Sequence, residues 1–301
     1  MSIIKWEGVF PAVTTKFDNK NQLDLDTFGK NLGAQMAAGV HGIVLGGTLG
    51  EASTLQDQEK EYLVKFTLEK TDGRFPVVLN IAEGSTDEAV RKAEQALSWG
   101  VNGLMLLPPM RYKPDERELI TYLRTVCTAT DLPVMIYNNP VDYNTEVSIN
   151  AFHALVEIPQ IQAVKESTRD ISNVSRMIST FGDRFSILCG VDTLAMEELL
   201  MGAKGWVAGL VCAFPNETML VYNLVKSGRL DEARTLYRWF LPLLELDIRP
   251  KLVQYIKLAE SITGIGTEYV RAPRLQLSHE ERSVVSALIH EAITNKPDIT
   301  F

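Results

Sequence analysis

Short apolar segments alternate along the chain with longer stretches whose apolar residues recur every three or four positions. The short segments have the length of strands, and they are apolar almost throughout, as expected when both faces of a strand are covered. The longer stretches, such as 26–39 and 87–100, have the spacing of amphipathic helices. We therefore predict eight strands, which cover 8–15, 42–47, 77–82, 103–109, 133–139, 161–167, 185–191 and 205–211.

A short repeat accompanies this alternation. GVHG at 39–42, GVNG at 100–103 and GAKG at 202–205 each place one glycine where a helix would end and a second glycine where a strand would begin. Strands that alternate with helices are typical of βα units around a parallel sheet. Eight such units favour an α/β fold that closes into a (β/α)8 TIM barrel over an open doubly wound sheet.

The chain after residue 215 shows helical spacing and no further strand. We predict a barrel catalytic domain over 1–228 and a C-terminal helical extension over 229–301. Ser278 and Glu281 have the spacing of a capping box at the start of the last helix. The segment WFLPLLELD at 239–247 is too apolar to be exposed over its whole surface, so we expect the extension to form part of an oligomer interface.

Composition and charge limit which partners and which cellular compartment are expected for this chain. The 301 residues carry a formal net charge of −8 and no run of basic residues, so we expect neither nucleic acid nor an anionic membrane as a partner. The three cysteines show no CxxC spacing, which is typical of reduced thiols in a cytoplasmic protein. The first residues lack the features of a signal peptide, and no apolar run reaches the roughly 18 residues of a membrane span.

One lysine interrupts this apolar pattern. The sixth predicted strand, in the segment IQAVKEST at 161–168, ends in Lys165. In a TIM barrel, catalytic residues lie at the C-terminal ends of the strands. A buried amine there would have a lowered pKa and could attack a carbonyl carbon to form a Schiff base. Spacing alone leaves a second interpretation open, in which Lys165 is a solvated residue at a frayed strand end.

Two other strand ends carry hydroxyl groups. Tyr137 ends the fifth predicted strand, where it would relay protons or simply pack as an aromatic residue. The turn GGTLGE at 46–51 offers backbone N–H groups and the Thr48 hydroxyl at the start of a helix. Such a turn can bind a carboxylate, although an ordinary glycine-rich connection has the same composition.

Taken together, three segments resemble a known family. GTLGE at 47–51, YNNP at 137–140 and KE at 165–166 match, in order and spacing, the motifs of the dihydrodipicolinate synthase/N-acetylneuraminate lyase family, and the resemblance extends over essentially the whole chain. It implies a TIM barrel of class I aldolase type with additional C-terminal helices. It also implies a homo-oligomer, a tetramer or a dimer, that acts on pyruvate or a related small 2-oxo acid without a metal or an organic cofactor.

The resemblance assigns roles to individual residues. It implies that Lys165 forms the Schiff base, that Tyr137 is the acid/base, and that Thr48 serves the substrate carboxylate and a proton relay. It also places three further residues around the bound 2-oxo acid, which are Gly47, Gly190 and Val207.

This sequence departs from the family motifs at three places. Leu49 stands where the motif has a second threonine, so carboxylate binding would depend on backbone N–H groups and Thr48. In the loop after the fourth strand, Arg111, with Tyr112 beside it, stands where the synthase has a relay tyrosine that acts across a subunit interface. Arg111 would clamp a carboxylate, and Tyr112 would be a second acid. Asp142 stands where the synthase has an arginine for the carboxylate of aspartate semialdehyde.

An acidic group at 142 suits a substrate with a hydroxyl or a nitrogen better than one with a second carboxylate. Four segments resemble the family branch that deaminates 1-pyrroline-4-hydroxy-2-carboxylate: 138–144, 165–170, 205–215 and 251–260. That deaminase is our specific prediction. The alternatives are dihydrodipicolinate synthase, and an aldolase or dehydratase of another 2-oxo-3-deoxy acid.

Two further classes of protein use such a barrel. A metal-dependent aldolase needs clustered ligands, whereas the four histidines are scattered, at His41, His153, His279 and His290. A catalytically inactive barrel that only binds a 2-oxo acid would not need both Lys165 and Tyr137.

Overall fold

The computed structural model describes residues 4–300, and within this range eight parallel strands form one sheet. From the second strand to the eighth, each strand pairs with the next in sequence, and the first strand pairs with the eighth. A bridge between Ala12 and Val44 joins the first strand to the second, so the sheet closes into a barrel. The strands are β1 (Gly8–Pro11), β2 (Ile43–Leu45), β3 (Val77–Ile81), β4 (Gly103–Leu106), β5 (Val134–Asn138), β6 (Ile161–Glu166), β7 (Ser186–Cys189) and β8 (Gly205–Ala208).

Helices surround this barrel and continue beyond it. Those that alternate with the strands are α1 (Leu25–Ala37), α2 (Asp57–Thr71), α3 (Thr86–Trp99), α4 (Glu116–Thr128), α5 (Pro140–Tyr143), α6 (Ile149–Leu155), α7 (Ser172–Phe181), α8 (Ala195–Leu200) and α9 (Pro215–Lys226). The C-terminal extension adds α10 (Leu230–Leu244), α11 (Leu252–Ile262) and α12 (His279–Thr294). Within residues 4–300, no helix is long and apolar enough to cross a membrane.

The predicted TIM barrel is confirmed. All eight predicted strands are present, and all eight end earlier than their apolar segments because the final residues leave the ladder and enter the loops that surround the site. The glycine repeat has the predicted role except at Gly42, which precedes its strand by one residue. Gly39, Gly100 and Gly202 end helices with φ values of +81°, +87° and +108°, while Gly103 and Gly205 are the first residues of their strands.

The apolar segment of α10 packs against the rest of the same chain. Phe240, Leu243 and Leu244 are fully buried within one subunit, so the apolar character of this segment does not by itself require a partner. The oligomer and the division of the chain at 228/229 therefore remain predictions. The capping box of Ser278 and Glu281 is confirmed, with both reciprocal hydrogen bonds formed.

A buried ionic network fastens α11 to the barrel. The Lys16 ammonium group lies 3.0 Å from the Glu260 carboxylate, which also accepts a hydrogen bond of 2.7 Å from the Thr14 hydroxyl. Lys257 pairs with Glu51 at 2.5 Å, and all four charged side chains are inaccessible to solvent. Glu51 directly follows the GTLG turn, so this network holds the turn against the C-terminal extension.

Candidate active site

A cavity of about 450 Å³ opens at the C-terminal ends of the strands, where catalytic residues of TIM barrels lie. Its lining combines residues of the strand ends with residues of the C-terminal extension. Most of the residues singled out from the sequence meet here, namely Gly47, Thr48, Leu49, Tyr137, Asp142, Lys165, Gly190 and Val207.

Lys165 lies at the centre of this group. It sits near the end of β6 in register with Tyr137 of β5, and its Nζ lies 4.0 Å from the centroid of the Tyr137 ring. The side chain is 7% exposed, so Lys165 is not a solvated residue at a frayed strand end. Burial lowers the pKa of the Lys165 ammonium, although Asp247 and Tyr143 act in the opposite direction. A larger fraction of the amine is therefore neutral than in a lysine in water.

Gly190 makes room for this lysine. A Cβ atom at position 190 would lie 2.6 Å from Cγ and 2.7 Å from Cε of Lys165, which is closer than real atoms approach. Any side chain at this position would displace the nucleophile. Asp192 holds the neighbouring backbone in place because it accepts hydrogen bonds from the N–H groups of Gly209 and Leu210, at 3.0 and 2.7 Å.

The Tyr137 hydroxyl faces the same space. It accepts a hydrogen bond of 3.0 Å from Nδ2 of Asn139, which also donates to the Asp142 carboxylate at 2.7 Å. Burial raises the pKa of the Tyr137 phenol, which therefore stays protonated at neutral pH and can donate a proton. These contacts suit the role of acid/base that the sequence predicts for Tyr137.

The turn after β2 brings a second hydroxyl to the cavity. Thr48 is exposed to solvent at the cavity wall, and its Oγ1 lies 2.8 Å from the hydroxyl of Tyr143. Leu49 is 4% exposed and presents an apolar surface where the family motif has a hydroxyl.

Sequence reasoning missed several residues that line the cavity, and Tyr143 and Asp247 are the two that bear most on its chemistry. Tyr143 lies in α5, the short helix that follows the YNNP segment. This helix begins at Pro140, with Asn139 as its N-cap. An asparagine followed by proline is a recognisable helix start, and it could have indicated that the next turn faces the site.

Asp247 comes from the turn of 3₁₀ helix that follows α10. Its Oδ1 lies so close to Gly209 that a Cβ there would be 2.2 Å away. Burial raises the pKa of this carboxyl group, and nearby Asp192 raises it further. No local pattern marks Asp247, because its position depends on how the extension docks on the barrel.

The mouth of the cavity carries charges of both signs. Asp142 lines it as predicted, and Arg169 lies 3.7 Å from the Asp142 carboxylate. Arg169 has a φ of +63°, an uncommon backbone conformation for a residue other than glycine. Arg249 of the extension also lines the cavity.

Arg111 and Tyr112 lie outside this cavity in the single chain. The Arg111 side chain packs beside Gly84, where a Cβ atom would lie 3.4 Å from its Nε. Tyr112 is 56% exposed and borders a separate cleft with Ser85 and Thr86. Within one subunit, the structure does not bring these two side chains to Lys165, so their predicted contact with the substrate remains a prediction.

The histidines do not form a metal centre in the described chain. His41 lies before β2, at the opposite end of the barrel, and accepts a hydrogen bond of 3.1 Å from the N–H of Val9. Across residues 4–300, no group of three or more His, Cys, Asp or Glu side chains is arranged to hold a metal ion.

Comparisons with known proteins agree with this architecture. The model of the dihydrodipicolinate synthetase family matches residues 5–292. The 4-hydroxy-tetrahydrodipicolinate synthase of Methanospirillum hungatei is 30% identical over 278 residues, which cover 91% of this chain and 95% of that protein. The synthase of the same name from Methanothrix thermoacetophila is 29% identical, with 98% of each chain covered. The crystal structure of dihydrodipicolinate synthase from Aquifex aeolicus matches with a TM-score of 0.90 and 26% identity, covering 97% of this chain and 99% of that one.

Proposed function

The chain belongs to the dihydrodipicolinate synthetase family, and we propose that Lys165 forms a Schiff base with a pyruvate-like 2-oxo acid or its cyclic imine. The observation that carries this proposal is the placement of Lys165. It is a buried amine that faces a cavity, with the Tyr137 ring on one side and Gly190 on the other.

The chemistry follows from these positions. The neutral amine of Lys165 attacks C2 of the substrate, and the oxygen or nitrogen on that carbon must gain a proton before it can leave. Tyr137 is placed to supply this proton. The resulting iminium ion withdraws electrons from the neighbouring C3, which assists bond making or breaking there. The turn that contains Gly47 and Thr48 would bind the C1 carboxylate.

For the specific reaction we propose deamination of 1-pyrroline-4-hydroxy-2-carboxylate. Lys165 would attack C2 of the ring imine, and the ring nitrogen would leave C2 as an amine that stays attached to C5. Loss of the C4 hydroxyl as water would give a C3–C4 double bond, and proton transfer from C5 to C3 would move it to C4–C5, so that the C5 amine becomes an enamine and then an imine. Hydrolysis of this imine releases ammonia, hydrolysis of the Schiff base frees Lys165, and 2-oxoglutarate semialdehyde remains. Asp142 and Asp247 support this reaction, because two acidic groups at one cavity suit a substrate whose distal part bears a hydroxyl and a nitrogen.

The second candidate is the reaction of the relatives. Those that match are named 4-hydroxy-tetrahydrodipicolinate synthases, and these names favour condensation of pyruvate with aspartate semialdehyde over deamination. Arg169 also supports this candidate, because it lies beside Asp142 at the mouth and offers a guanidinium group to a distal carboxylate.

Two assays on the purified protein separate the candidates. One measures ammonia release from the cyclic imine, and the other measures condensation of pyruvate with aspartate semialdehyde. We expect the higher kcat/KM for the imine, while a higher value for the condensation would assign the synthase reaction. Turnover of neither substrate, with pyruvate still attached to Lys165 by borohydride, would favour another 2-oxo acid or a barrel that only binds its ligand.

A matched pair of variants tests the role of the acidic mouth. Asp142→Asn should lower ammonia release and raise the condensation rate, because it removes the charge that repels a distal carboxylate. The control is Glu146→Gln, which changes an exposed carboxylate outside the cavity in the same connection. If both variants behave alike, Asp142 does not select the substrate.

A further inference from the structure

Tyr143 lies at the reaction cavity, but none of the steps proposed above involves it. Its hydroxyl lies 2.8 Å from Oγ1 of Thr48, which is a hydrogen bond that either oxygen can donate. Both side chains line the cavity that contains Lys165. The pair therefore joins the loop after β2 to the short helix after β5, directly at the reaction space.

The local sequence fixes Tyr143 in this place. Asn139 caps α5 through a side-chain contact with the N–H of Asp142, at 3.1 Å. The N–H of Tyr143 donates to the carbonyl of Asn139, also at 3.1 Å. The Tyr143 ring meets the Tyr137 ring edge to face, with centroids 5.7 Å apart and an angle of 79° between the planes. Two phenols thus lie side by side on one wall of the cavity, and both are held by the same asparagine.

The Tyr143–Thr48 pair has the properties of a proton relay. Burial raises the pKa of the Tyr143 phenol, so that it carries a proton at neutral pH. Thr48 is exposed, and its hydroxyl can therefore exchange protons with water. When Tyr143 donates its proton toward the cavity, Thr48 can reprotonate it, and Thr48 then regains a proton from solvent.

We propose that Tyr143 is a proton-relay residue that acts with Thr48 of its own chain, so that the relay is complete within one subunit. This inference rests on the Schiff base proposed for Lys165. In the step concerned, the amine of Lys165 has added to C2, the C2 oxygen has taken a first proton from Tyr137, and the resulting hydroxyl must leave. Tyr143 gives a second proton to that oxygen, the C–O bond breaks, and water departs as the C=N bond forms. The tyrosine regains its proton from Thr48, which takes one from solvent.

The alternative is a relay that uses a tyrosine of a neighbouring subunit. Tyr112 is the candidate for it, because it is exposed, lies outside the cavity of its own chain, and belongs to the loop after β4. The two tyrosines therefore provide a matched pair of variants, each of which loses one hydroxyl and little volume.

The test measures the rate at which pyruvate becomes attached to Lys165. Protein is mixed with pyruvate, quenched with borohydride at successive times, and the labelled Lys165 peptide is quantified by mass spectrometry. We expect Tyr143→Phe to form the Schiff base about 10- to 10³-fold more slowly than wild type. Tyr112→Phe should be slowed less than Tyr143→Phe, and Tyr62→Phe, which loses an exposed hydroxyl of α2, is the control that should match wild type. Thr48→Val should be slow as well, and the double variant with Tyr143→Phe should be no slower than the slower single variant.

Other outcomes would overturn the proposal in distinguishable ways. A Tyr143→Phe protein that reacts at the wild-type rate refutes the relay. A slow Tyr112→Phe with a normal Tyr143→Phe assigns the relay to the neighbouring subunit. Absence of any label in wild type refutes the Schiff base itself, and the relay with it. Melting temperatures within a degree or two of wild type would show that slow variants are correctly folded.

Discussion

Two lysines of this barrel are buried in different ways. Lys257 of α11 is fully buried, with its ammonium group 2.5 Å from the Glu51 carboxylate and 2.6 Å from the carbonyl of Tyr269. Lys165 is almost as deeply buried, but within residues 4–300 no carboxylate forms an ion pair with it. Its Nζ lies 4.0 Å from the centroid of the Tyr137 ring, and an open cavity lies beside it.

Burial alone therefore does not make a lysine reactive. Burial lowers the pKa of Lys257 to about 8 against the opposing effect of Glu51, so this lysine still carries its charge at neutral pH. Its ammonium group donates to the Glu51 carboxylate and to the Tyr269 carbonyl, and Lys257 is not among the residues that line the cavity. Lys165 combines a lowered pKa with free space, which are the two conditions that an amine nucleophile requires.

The largest expected effect is the loss of activity on replacing Lys165. Lys165→Met should lower kcat by roughly 10³-fold or more, because it removes the group that bonds to the substrate. The melting temperature should stay the same or rise, since an unpaired amine is removed from a buried site. Steady-state kinetics and calorimetry check the two parts. Full activity would remove Lys165 from the mechanism, and a large loss of stability would give it a structural role.

The matching change at Lys257 should lower stability and leave Schiff-base formation intact. Lys257→Met leaves the Glu51 carboxylate buried without its partner, which typically costs 3–5 kcal/mol in the free energy of unfolding, or about 10²- to 10⁴-fold in the unfolding equilibrium. Urea unfolding measures this loss, and the double variant with Glu51→Gln should recover part of it. The protein that remains folded should still form the Schiff base. A stable Lys257→Met without Schiff-base formation would contradict the distinction between the two lysines.

A third buried group, the Glu198 carboxyl, is expected to change stability by a smaller amount. Among the described residues, no nitrogen or oxygen donor reaches either carboxylate oxygen of Glu198, and the weakly polar Cys189 thiol is the one side chain whose hydrogen bond lowers its pKa. Burial, together with the nearby Glu166 carboxylate, raises the pKa of Glu198 to about 8. Between pH 4.5 and pH 8 the folded protein thus binds more protons than the unfolded chain, so this group lowers stability as the pH rises.

Glu198→Gln should remove that loss. We expect the variant to be more stable than wild type by roughly 1–3 kcal/mol at pH 8 and nearly equal to it below pH 5. Urea unfolding at both pH values checks this difference. A variant that is destabilised equally at both would mean that Glu198 has a partner in the folded protein.

Much of the site could be predicted from the sequence because a TIM barrel places the ends of all its strands on one side. Once Lys165, Tyr137 and Gly190 are assigned to strand ends, the barrel brings them together without further information. The same reasoning does not settle Arg111 and Tyr112, which lie outside the cavity of the single chain and whose contact with the substrate stays a prediction. Arg111 packs beside Gly84 there, a long-range contact that no local residue pattern indicates.

Residues placed by long-range docking were also missed. Asp247 follows Lys165 by many residues and reaches the cavity only because α10 packs on the barrel, where Tyr237 donates a hydrogen bond of 3.0 Å to the carbonyl of Asp192. Helical periodicity predicts α10 correctly but does not indicate where its C-terminal end will lie.

The most direct test of the central claim is covalent trapping of the Schiff base. Purified protein is incubated with pyruvate and borohydride, digested, and analysed by mass spectrometry, with Lys165→Met as the control. We predict that the reduced adduct is found on Lys165 alone, that Lys257 is unlabelled, and that the control protein shows no adduct. An adduct on another lysine, or equal labelling of the control, would contradict the assignment of Lys165 as the nucleophile.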